Sequence, residues 1–427
     1  MSFVSPAIHL RRLPASVPQR SADAAANPLR DAAVSAAVAE VLAPALAPDR
    51  LRGAAVIVKV NAFMAHAPAT TDPRVAAGAI DYCLAAGARS VTIAEDVSIS
   101  SCIGRGTDIE QSFRQLRFDE LVASYESSRV RLSPLRAEGT AVIPVPHGQM
   151  MTSVDYPLLP LMSDVFINLP VLKYHRQANM SCAVKSTWSM APLPVRMANH
   201  CNTLADALLD VHFARKPDVT LVDALAPLEH DHAYGQMVPL GCVLAGTDSI
   251  AVDTVGALLM GFDPAWIDTI RLGGARGLGV ADPDRIIVEG DQVADVFQRR
   301  FAIFDMDTRD FPPLQLTWHT GRSTGPGCLA YLCTGLEAIA KDEALAGALG
   351  PIHVFVGIDP PIPDTIDGLC LVVGHCAVAS EAYRVLSNRK YLAQDLKRLI
   401  TVPGCPPMAL RSQAAPLLRQ AIAGKPH

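Results

Sequence analysis

Residues 54–96 read "AAVIVKVNAFMAHAPATTDPRVAAGAIDYCLAAGARSVTIAED", a segment with two apolar runs separated by a helical pattern. The first run, 54–60, is continuous in β-forming residues, as is typical of a strand buried in a parallel sheet. Residues 72–88 have helical spacing, with a proline at the start and a glycine near the end. Residues 90–96 form a second strand pattern that ends in acids. This order predicts an α/β domain with a mostly parallel sheet.

The same alternation continues along the chain. Strand patterns recur in "DVFINLP" (164–170), "DVTLVDAL" (218–225) and "GCVLAG" (241–246). Asp248 follows as a helix N-cap, and Gly261 ends the helical pattern that begins there. In sheets of this kind ligands bind beyond the carboxyl ends of the strands. We therefore look for functional residues where the apolar runs end.

The length of 427 residues predicts two to three domains. On composition we assign residues 1–50 to an Ala-rich N-terminal extension and residues 51–310 to the first α/β domain. Residues 311–327 are rich in Pro, Gly, Ser and Thr, which is typical of a linker or a long loop. Beyond them the alternation resumes, so residues 311–427 predict a second, smaller α/β domain that is flavodoxin-like.

Charge and hydropathy argue against several classes of function. The net charge is -5, whereas a nucleic-acid surface needs a basic stripe. No apolar run is long enough to span a bilayer, and the nearest, residues 32–47, is interrupted by Glu40 and Pro44. No apolar segment follows the arginines near the N-terminus, so we expect no secretory signal and a cytoplasmic protein.

Polar residues cluster where the strand patterns of the first domain end. Lysine, histidine and asparagine in such positions predict a site for the carboxylate or phosphate of a small molecule. The alternatives are a solvated surface for the lysines and a helix N-cap for the aspartate that precedes Pro73. The candidate site residues are Lys59, Asn61, Thr71, Asp72, Asn168, Lys173, His175, Lys185 and Asp223.

The segment "LEHDH" (228–232) follows the strand pattern 218–225 and contains two acids and two histidines. Imidazole and carboxylate together can bind a divalent metal. A solvated loop is the alternative, and the sequence favours it.

The chain has ten cysteines and no CxxC motif. Cys328, Cys376 and Cys405 each follow a glycine directly or closely, and the last two follow strand patterns, so in a parallel sheet they emerge at one edge. Thiolates that converge at helix starts suit an iron–sulfur cluster. A zinc site and reduced core thiols are the alternatives. Cys333 is a fourth ligand only if 328–333 is a loop, because five helical residues turn by about 140°.

Four spaced motifs resemble the uncharacterised family called domain of unknown function 362. They are "VIVKVNAFMAHAPATTDPRV", "INLPVLKYHRQANMSCAVKSTW", "PDVTLVDAL" and "VLAGTDSIAVDTVGALLMGFDP", in that order within residues 52–290. The sequence departs from the usual form of the family at Val60, Tyr174 and Ser186, whereas the lysines and the histidine remain. The family name carries no reaction, so the resemblance implies a fold and a site but no chemistry.

Within residues 325–412, "GHCAVASEAYR" and "VPGCPP" resemble the cluster-bearing small subunit of respiratory complex I and of nickel–iron hydrogenases. The resemblance implies that Cys376 and Cys405 each ligate a [4Fe-4S] cluster and that Cys328 supplies an upstream ligand. Those families have adjacent cysteines or a CxxC upstream, whereas here Cys333 lies five residues after Cys328. A non-cysteine ligand or an open iron is therefore a further alternative.

Together these features predict an iron–sulfur oxidoreductase or electron-transfer accessory protein, with zinc as the alternative to the [4Fe-4S] cluster. The first domain would bind an anionic substrate or cofactor, and Lys173, His175 and Lys185 would be catalytic, with a proton from His175 or Lys173. A redox partner protein and a homodimer are compatible with this interpretation. The alternatives are a non-redox racemase, lyase or transferase that uses the lysines and His175, and a protein that delivers a metal or cluster.

Overall fold

The structure is a computed structural model of the chain, and it describes residues 5–96, 108–200, 203–304, 310–322, 324, 326–388, 399–402 and 415–419. The chain divides into two compact units. The first comprises Met1–Arg196 and Thr203–Phe304, and the second comprises Met197–Asn202 and Asp305–His427.

The strands of the first unit are β1 (Ala7–Arg12), β2 (Ala55–Lys59), β3 (Ser90–Glu95), β4 (Val130–Pro134), β5 (Thr140–Pro144), β6 (Ser153–Pro157), β7 (Val165–Asn168), β8 (Val171–His175), β9 (Asn179–Ser181), β10 (Val219–Glu229), β11 (Gln236–Met237), β12 (Cys242–Gly246) and β13 (Ile287–Gly290). In the described part of the chain, eleven of these strands form one sheet. Its main path is β13-β1-β12-β10-β7-β2-β3-β4, with β8 and β11 paired to β10 and β9 paired to β8. Strands β5 and β6 pair separately as an antiparallel hairpin.

The sheet is parallel from β10 through β7, β2 and β3 to β4. Strand β12 is antiparallel to both of its neighbours, β10 and β1. The prediction of a mixed α/β fold with a mostly parallel sheet is therefore confirmed. Strand β2 is buried along almost its whole length, as the continuous apolar run predicts for a strand that is covered on both faces.

The helices up to the end of the first unit are α1 (Ala32–Ala45), α2 (Pro73–Ala85), α3 (Ile109–Gln115), α4 (Phe118–Ala123), α5 (Leu158–Met162), α6 (Ala183–Ser186), α7 (Leu193–Ala198), α8 (Leu204–Ala214), α9 (Ser249–Leu259), α10 (Asp268–Ala275) and α11 (Val293–Val296). Aspartates begin several of them. The carboxylates of Asp31, Asp72 and Asp248 accept backbone N–H groups from the first turns of α1, α2 and α9, which satisfies donors that have no partner within the helix.

The N-terminal 50 residues, which composition alone sets apart as an extension, are part of the first unit. Strand β1 lies between β12 and β13 inside the large sheet. Helix α1 packs on α2, and the two come so close at Gly78 that a Cβ there would lie 3.0 Å from the Cβ of Val38. Helix α1 is buried through Val34, Val38, Val41 and Leu42, and Ala37 is the one alanine of this helix that is buried with them.

The second unit contains β14 (Leu316–Thr320), β15 (Ile352–Val356), β16 (Leu369–Val373) and β17 (Leu399–Val402), with α12 (Pro326–Ala340), α13 (Glu343–Ala348), α14 (His375–Val378) and α15 (Glu381–Asn388). The four strands form a sheet in sequential order. All three pairings are parallel, so the prediction of a smaller parallel α/β unit is confirmed. None of the helices in the described ranges is long and apolar enough to cross a membrane.

Candidate functional site

Lys59, Lys173 and Lys185 form one group of cations, which we call the lysine cluster. Lys59 is the last residue of β2, Lys173 lies in β8, and Lys185 lies in α6. The charges of Lys185 and Lys59 lower the pKa of Lys173, and the charge of Lys59 lowers the pKa of Lys185. Each amine is therefore within the electrostatic reach of the others. The fold brings together three predicted site residues from three separate elements.

Lys59 is the paired member of the lysine cluster. Its Nζ donates hydrogen bonds to Glu95 Oε2 at 2.9 Å, to the carbonyl of Val60 at 3.0 Å and to Ser186 Oγ at 3.2 Å. Burial lowers the pKa of Lys59, and the carboxylate of Glu95 opposes that effect. Lys59 is thus a neutralised buried cation that joins the end of β2 to the end of β3 and to α6.

Lys173 is buried, with only 2% of its surface exposed. Its Nζ donates to the carbonyl of Ala69 at 2.6 Å and to Asn61 Oδ1 at 3.4 Å, and it lies 4.5 Å from the ring centroid of Phe63. No carboxylate in the described ranges forms an ion pair with this amine. Burial, followed by repulsion from the other two lysines, lowers the pKa of Lys173 well below its ordinary value. The site therefore favours the neutral amine at this position.

Lys185 is the accessible member of the lysine cluster, since it is only half-buried. Among the described residues its ammonium has neither an ion pair nor a hydrogen bond. Burial, then the charges of Lys59 and Arg196, lower the pKa of Lys185 to about 7. A reachable amine of this kind can bind an anion or act as a nucleophile.

Asp253 holds the helix that presents Lys185. From α9, its Oδ1 accepts the backbone N–H of Ala183 at 2.6 Å and its Oδ2 accepts that of Val184 at 3.2 Å. Burial raises the pKa of Asp253 to about 7, against the effect of these hydrogen bonds. Sequence analysis missed this residue. The available signal was an acid in the otherwise apolar helical pattern "SIAVDTVGALL".

His175 ends β8, two residues after Lys173, so both side chains lie on the same face of the strand. Its Nδ1 accepts the backbone N–H groups of Gln177 and Ala178, each at 3.2 Å. Because Nδ1 must offer a lone pair to these donors, the neutral ring carries its proton on Nε2. The ring stacks on His232, with centroids 4.3 Å apart.

Other predicted substrate-binding residues hold the loops around the lysine cluster. Thr71 Oγ1 accepts the backbone N–H of Asn61 at 2.8 Å and donates to the carbonyl of Leu169 at 3.1 Å. Asn168 Nδ2 donates to the carbonyl of Ala183 at 2.9 Å. Of this group, Asn61 is the one that contacts a lysine of the cluster, because its Oδ1 accepts from Lys173.

Asp72 and Asp223 lie in a second buried group with Arg20 and Arg74, which we call the arginine–aspartate network. Arg74 forms a two-pronged ion pair with Asp72, with Nε at 3.1 Å and Nη2 at 2.8 Å from its oxygens. Asp72 Oδ1 also accepts the N–H of Arg74, so the N-cap alternative for Asp72 is observed. Asp223 Oδ2 accepts the N–H of Asp72 at 2.7 Å.

The pKa values of the two acids in this network are shifted in opposite directions. Burial alone raises the pKa of Asp72, but the charges of Arg20 and Arg74 hold it below its ordinary value. Burial raises the pKa of Asp223, and Arg20 opposes that effect. Neither Arg20 nor Arg74 carries a signal that the sequence analysis used.

Residues 229–232 are only partly the solvated loop that the sequence favours, since His230 is exposed whereas both acids are buried. Glu229 is buried and accepts both Nη groups of Arg299 at 2.7 Å. Asp231 is buried and forms an ion pair with Arg176 at 2.8 Å. His232 stacks on His175. The acids are thus engaged by arginines that lie far away in the sequence, where no spacing rule could find them.

The cysteines of the second unit only partly match the predicted ligand set. Cys328 lies in the first turn of α12 and Cys376 in the first turn of α14, and both are half-buried. Cys405 lies outside the described residues. The condition for Cys333 as a ligand fails, because α12 runs without interruption through 328–333 and Cys333 is fully buried. The helical twist points its sulfur away from that of Cys328.

Among the described residues, no group of three or more His, Cys, Asp or Glu side chains is arranged to hold a metal ion.

The first unit is an α/β domain that contains a cluster of three mutually repelling lysines. The sequence model of the family described as "Domain of unknown function (DUF362)" matches residues 56–258. This match supports the resemblance that the spaced motifs of the first unit indicate.

Individual relatives are more distant. A thylakoid-associated protein of Synechocystis sp. is 29% identical over 123 residues, which are 27% of this chain and 38% of that protein. The lactate racemase apoprotein of Thermoanaerobacterium thermosaccharolyticum is 15% identical, with a TM-score of 0.37 over 90% of this chain and 79% of its own. A structural-genomics protein of Thermotoga maritima is 10% identical, with a TM-score of 0.36 over 91% and 82%. Similarities at this level say nothing about activity.

Proposed function

We propose that the first unit is a non-redox enzyme of the racemase or lyase type, which removes a proton from the carbon next to the carboxylate of a small organic anion. The observation that supports this most is the amine of Lys173, which is buried among other cations and has no carboxylate partner in the described ranges. Such surroundings favour the neutral amine, and only that form accepts a proton.

Lys185 and Lys173 would divide the work of binding and proton transfer. Lys185 is half-buried and can reach a ligand, and an incoming carboxylate favours its charged form because opposite charges stabilise each other. Lys173 is more deeply buried and stays an amine. The anion would therefore bind to one lysine and present its neighbouring C–H bond to the other.

In the proposed step, the proton passes from carbon to the Nζ of Lys173. The electron pair of the broken C–H bond moves onto the carboxylate, whose additional negative charge is stabilised by Lys185 and Lys59. His175 donates a hydrogen bond from Nε2 to the substrate, because its Nδ1 already accepts the backbone N–H groups of Gln177 and Ala178. Lys173 then returns the proton to carbon, or the electron pair expels a leaving group. In this scheme His175 orients and stabilises the substrate and Lys173 transfers the proton, whereas the sequence left His175 and Lys173 as alternative proton donors.

The test is solvent exchange of the α-hydrogen. The protein is incubated in D₂O with a panel of short carboxylic acids, and loss of the α-¹H signal is followed by NMR. We expect exchange of at least one acid by the wild-type protein and a decrease of at least about 100-fold in Lys173→Met. Lys341→Met, which removes an exposed lysine of the second unit, is the matched control and should exchange normally.

Two results would overturn this proposal. One is full exchange by a folded Lys173→Met variant, which would show that another group is the base. The other is binding of the acids by the wild-type protein without exchange of any of them, which would leave an anion-binding protein and not an enzyme of this type.

A second candidate function is iron–sulfur cluster binding by the second unit, which the order and parallel direction of its strands favour. Strands β16 and β17 are adjacent and parallel, so the chain leaves both at the same edge, just before Cys376 and Cys405 respectively. Cys328 follows β14 of the same sheet. The described residues supply two half-buried cysteines, and Cys333 does not complete the set.

Iron and acid-labile sulfide are counted after anaerobic purification to test this candidate. We expect Cys376→Ser and Cys405→Ser each to lose iron, whereas Cys83→Ala, which alters a buried thiol of the first unit, retains it. Equal iron content in all three variants, or none in the wild-type protein, would reject cluster binding and leave the proposed proton-transfer enzyme unaffected.

A further inference from the structure

The first unit contains a cavity of about 150 Å³ between residues 12–20 and residues 239–241. Leu13, Leu225 and Leu240 line it and are buried, whereas Pro14 and Gln19 line it and are exposed. The cavity therefore has an apolar floor and a mouth at the surface of the unit. An engineered cavity of similar volume is large enough to hold benzene.

Arg12, Arg20 and Arg74 supply the charged part of the lining, and of these Arg12 is exposed, whereas Arg20 and Arg74 are buried. Arg74 is fully engaged, since it donates to Asp72 from two nitrogens and to the carbonyl of Pro18 at 2.7 Å. Arg20 is different, because it donates no hydrogen bond to any residue in the described ranges. Its nearest acids, Asp72 and Asp223, lie 3.7 and 3.8 Å away, beyond hydrogen-bond distance.

Buried polar groups in proteins nearly always have hydrogen-bond partners. The side chain of Arg20 is 2% exposed, and Nε and Nη1 are inaccessible and have no acceptor. Nη2 is therefore the donor that remains for a molecule in the cavity. A carboxylate is a strong acceptor for this nitrogen, because a hydrogen bond between a guanidinium and a carboxylate is charge-assisted.

We propose that this cavity is a second binding site, which takes a small organic carboxylate with a short apolar tail. The carboxylate accepts hydrogen bonds from Arg20, and the tail contacts Leu13, Leu225 and Leu240. The apolar floor distinguishes this ligand from inorganic phosphate, which has no group to place there. The site is distinct from the lysine cluster, since none of the three lysines lines the cavity.

The test uses butyrate, acetate, butyramide and inorganic phosphate in isothermal titration calorimetry. We expect butyrate to bind about 15-fold more tightly than acetate, at about fourfold for each buried methylene. Butyramide has the shape of butyrate without its charge and should not bind measurably. Phosphate should bind to this site at least tenfold more weakly than butyrate. Equal affinity of butyramide and butyrate, or of acetate and butyrate, would overturn the assignment.

Variants separate this site from the lysine cluster. Arg20→Met should weaken butyrate binding by about 10- to 100-fold, the usual effect of losing a charged hydrogen bond. Val17→Phe adds a ring to the cavity lining and should abolish butyrate binding at this site. This variant tests the proposal if Arg20→Met fails to fold. Lys185→Met should leave this affinity unchanged. Loss of butyrate binding in Lys185→Met with full binding in folded Val17→Phe would overturn the proposal.

Discussion

The lysine cluster and the arginine–aspartate network are two buried groups of charges in the same unit, and they differ in balance. In the network two arginines face two aspartates. In the cluster three lysines share one ion-paired carboxylate, that of Glu95, within the described part of the chain. In the balanced group opposite charges stabilise one another, whereas in the lysine cluster repulsion between like charges adds to burial in lowering the pKa values of Lys173 and Lys185, which suits proton transfer.

The largest change in the free energy of unfolding should come from removing one arginine of the arginine–aspartate network. Arg74→Met removes the two-pronged partner of Asp72 and leaves the buried carboxylate with the backbone N–H of residue 74 and with Arg20, whose Nε lies 3.7 Å away. Removal of one partner of a buried pair costs about 3–5 kcal/mol in the free energy of unfolding. Urea denaturation at pH 7 measures this loss. A decrease below about 1 kcal/mol would show that Asp72 becomes neutral or hydrated and that the network is not structural.

A smaller change in the free energy of unfolding, this time an increase, should come from removing Lys185 of the lysine cluster. The pKa of Lys185 is about 7 in the folded chain and about 10.4 when unfolded. Between these values the unfolded chain binds more protons, so this residue makes the free energy of unfolding rise with pH. Lys185→Met should remove a rise of about 1 kcal/mol per pH unit at most between pH 7 and 9, after allowance for its partial exposure.

The measurement is the free energy of unfolding of the wild-type protein and of Lys185→Met in buffers from pH 6 to 9. The curves should lie furthest apart at pH 6, where Lys185 is charged in both states and the variant is the more stable, and converge as the pH rises above about 7. Lys341→Met should run parallel to the wild type, because its lysine is exposed. A constant separation between wild type and Lys185→Met would mean that the pKa of Lys185 is ordinary.

The smallest effect on stability should come from a substitution of Asp253, the residue that positions Lys185. Asp253→Asn keeps one acceptor oxygen but turns an amide NH₂ toward a backbone N–H of α6, at a cost of about 1 kcal/mol. Looser attachment of α6 lets Lys185 move toward solvent, which raises its pKa. The reactivity of Lys185 toward acetic anhydride can be followed by mass spectrometry as a function of pH. The pH at which Lys185 reacts at half its maximal rate should rise from about 7 in the variant. If labelling is unchanged, Asp253 has a packing role only.

The fold was largely predictable because its signals are local. The apolar runs at 54–60 and 90–96 became β2 and β3, and the helical spacing of 72–88 became α2. Asp248 caps α9 as its position predicts. The place of β1 was not predictable in this way. It pairs with strands more than 230 residues away, and a six-residue strand contains no information about so distant a partner.

The candidate site was predictable in its lysines but not in its surroundings. Lys59 and Lys173 lie in or end apolar runs that form β2 and β8 of the sheet, whereas Lys185 joins them from helix α6. Whether each lysine has an acid partner depends on side chains from other elements, such as Glu95, and this decides their roles. The spacing of the cysteines was less informative, since the same residues 328–333 that allow a loop also fit the continuous helix α12.

The position of β1 also has a consequence for synthesis of the chain. Its two partners are β12, residues 242–246, and β13, residues 287–290. A nascent chain that ends before residue 242 has made β1 but neither of the strands that flank it. Domains tend to fold as units when their contacts become available. The first unit therefore completes its sheet on the ribosome only late in translation, and until then the segment Ala7–Arg12 is open to capture by a chaperone or by another chain.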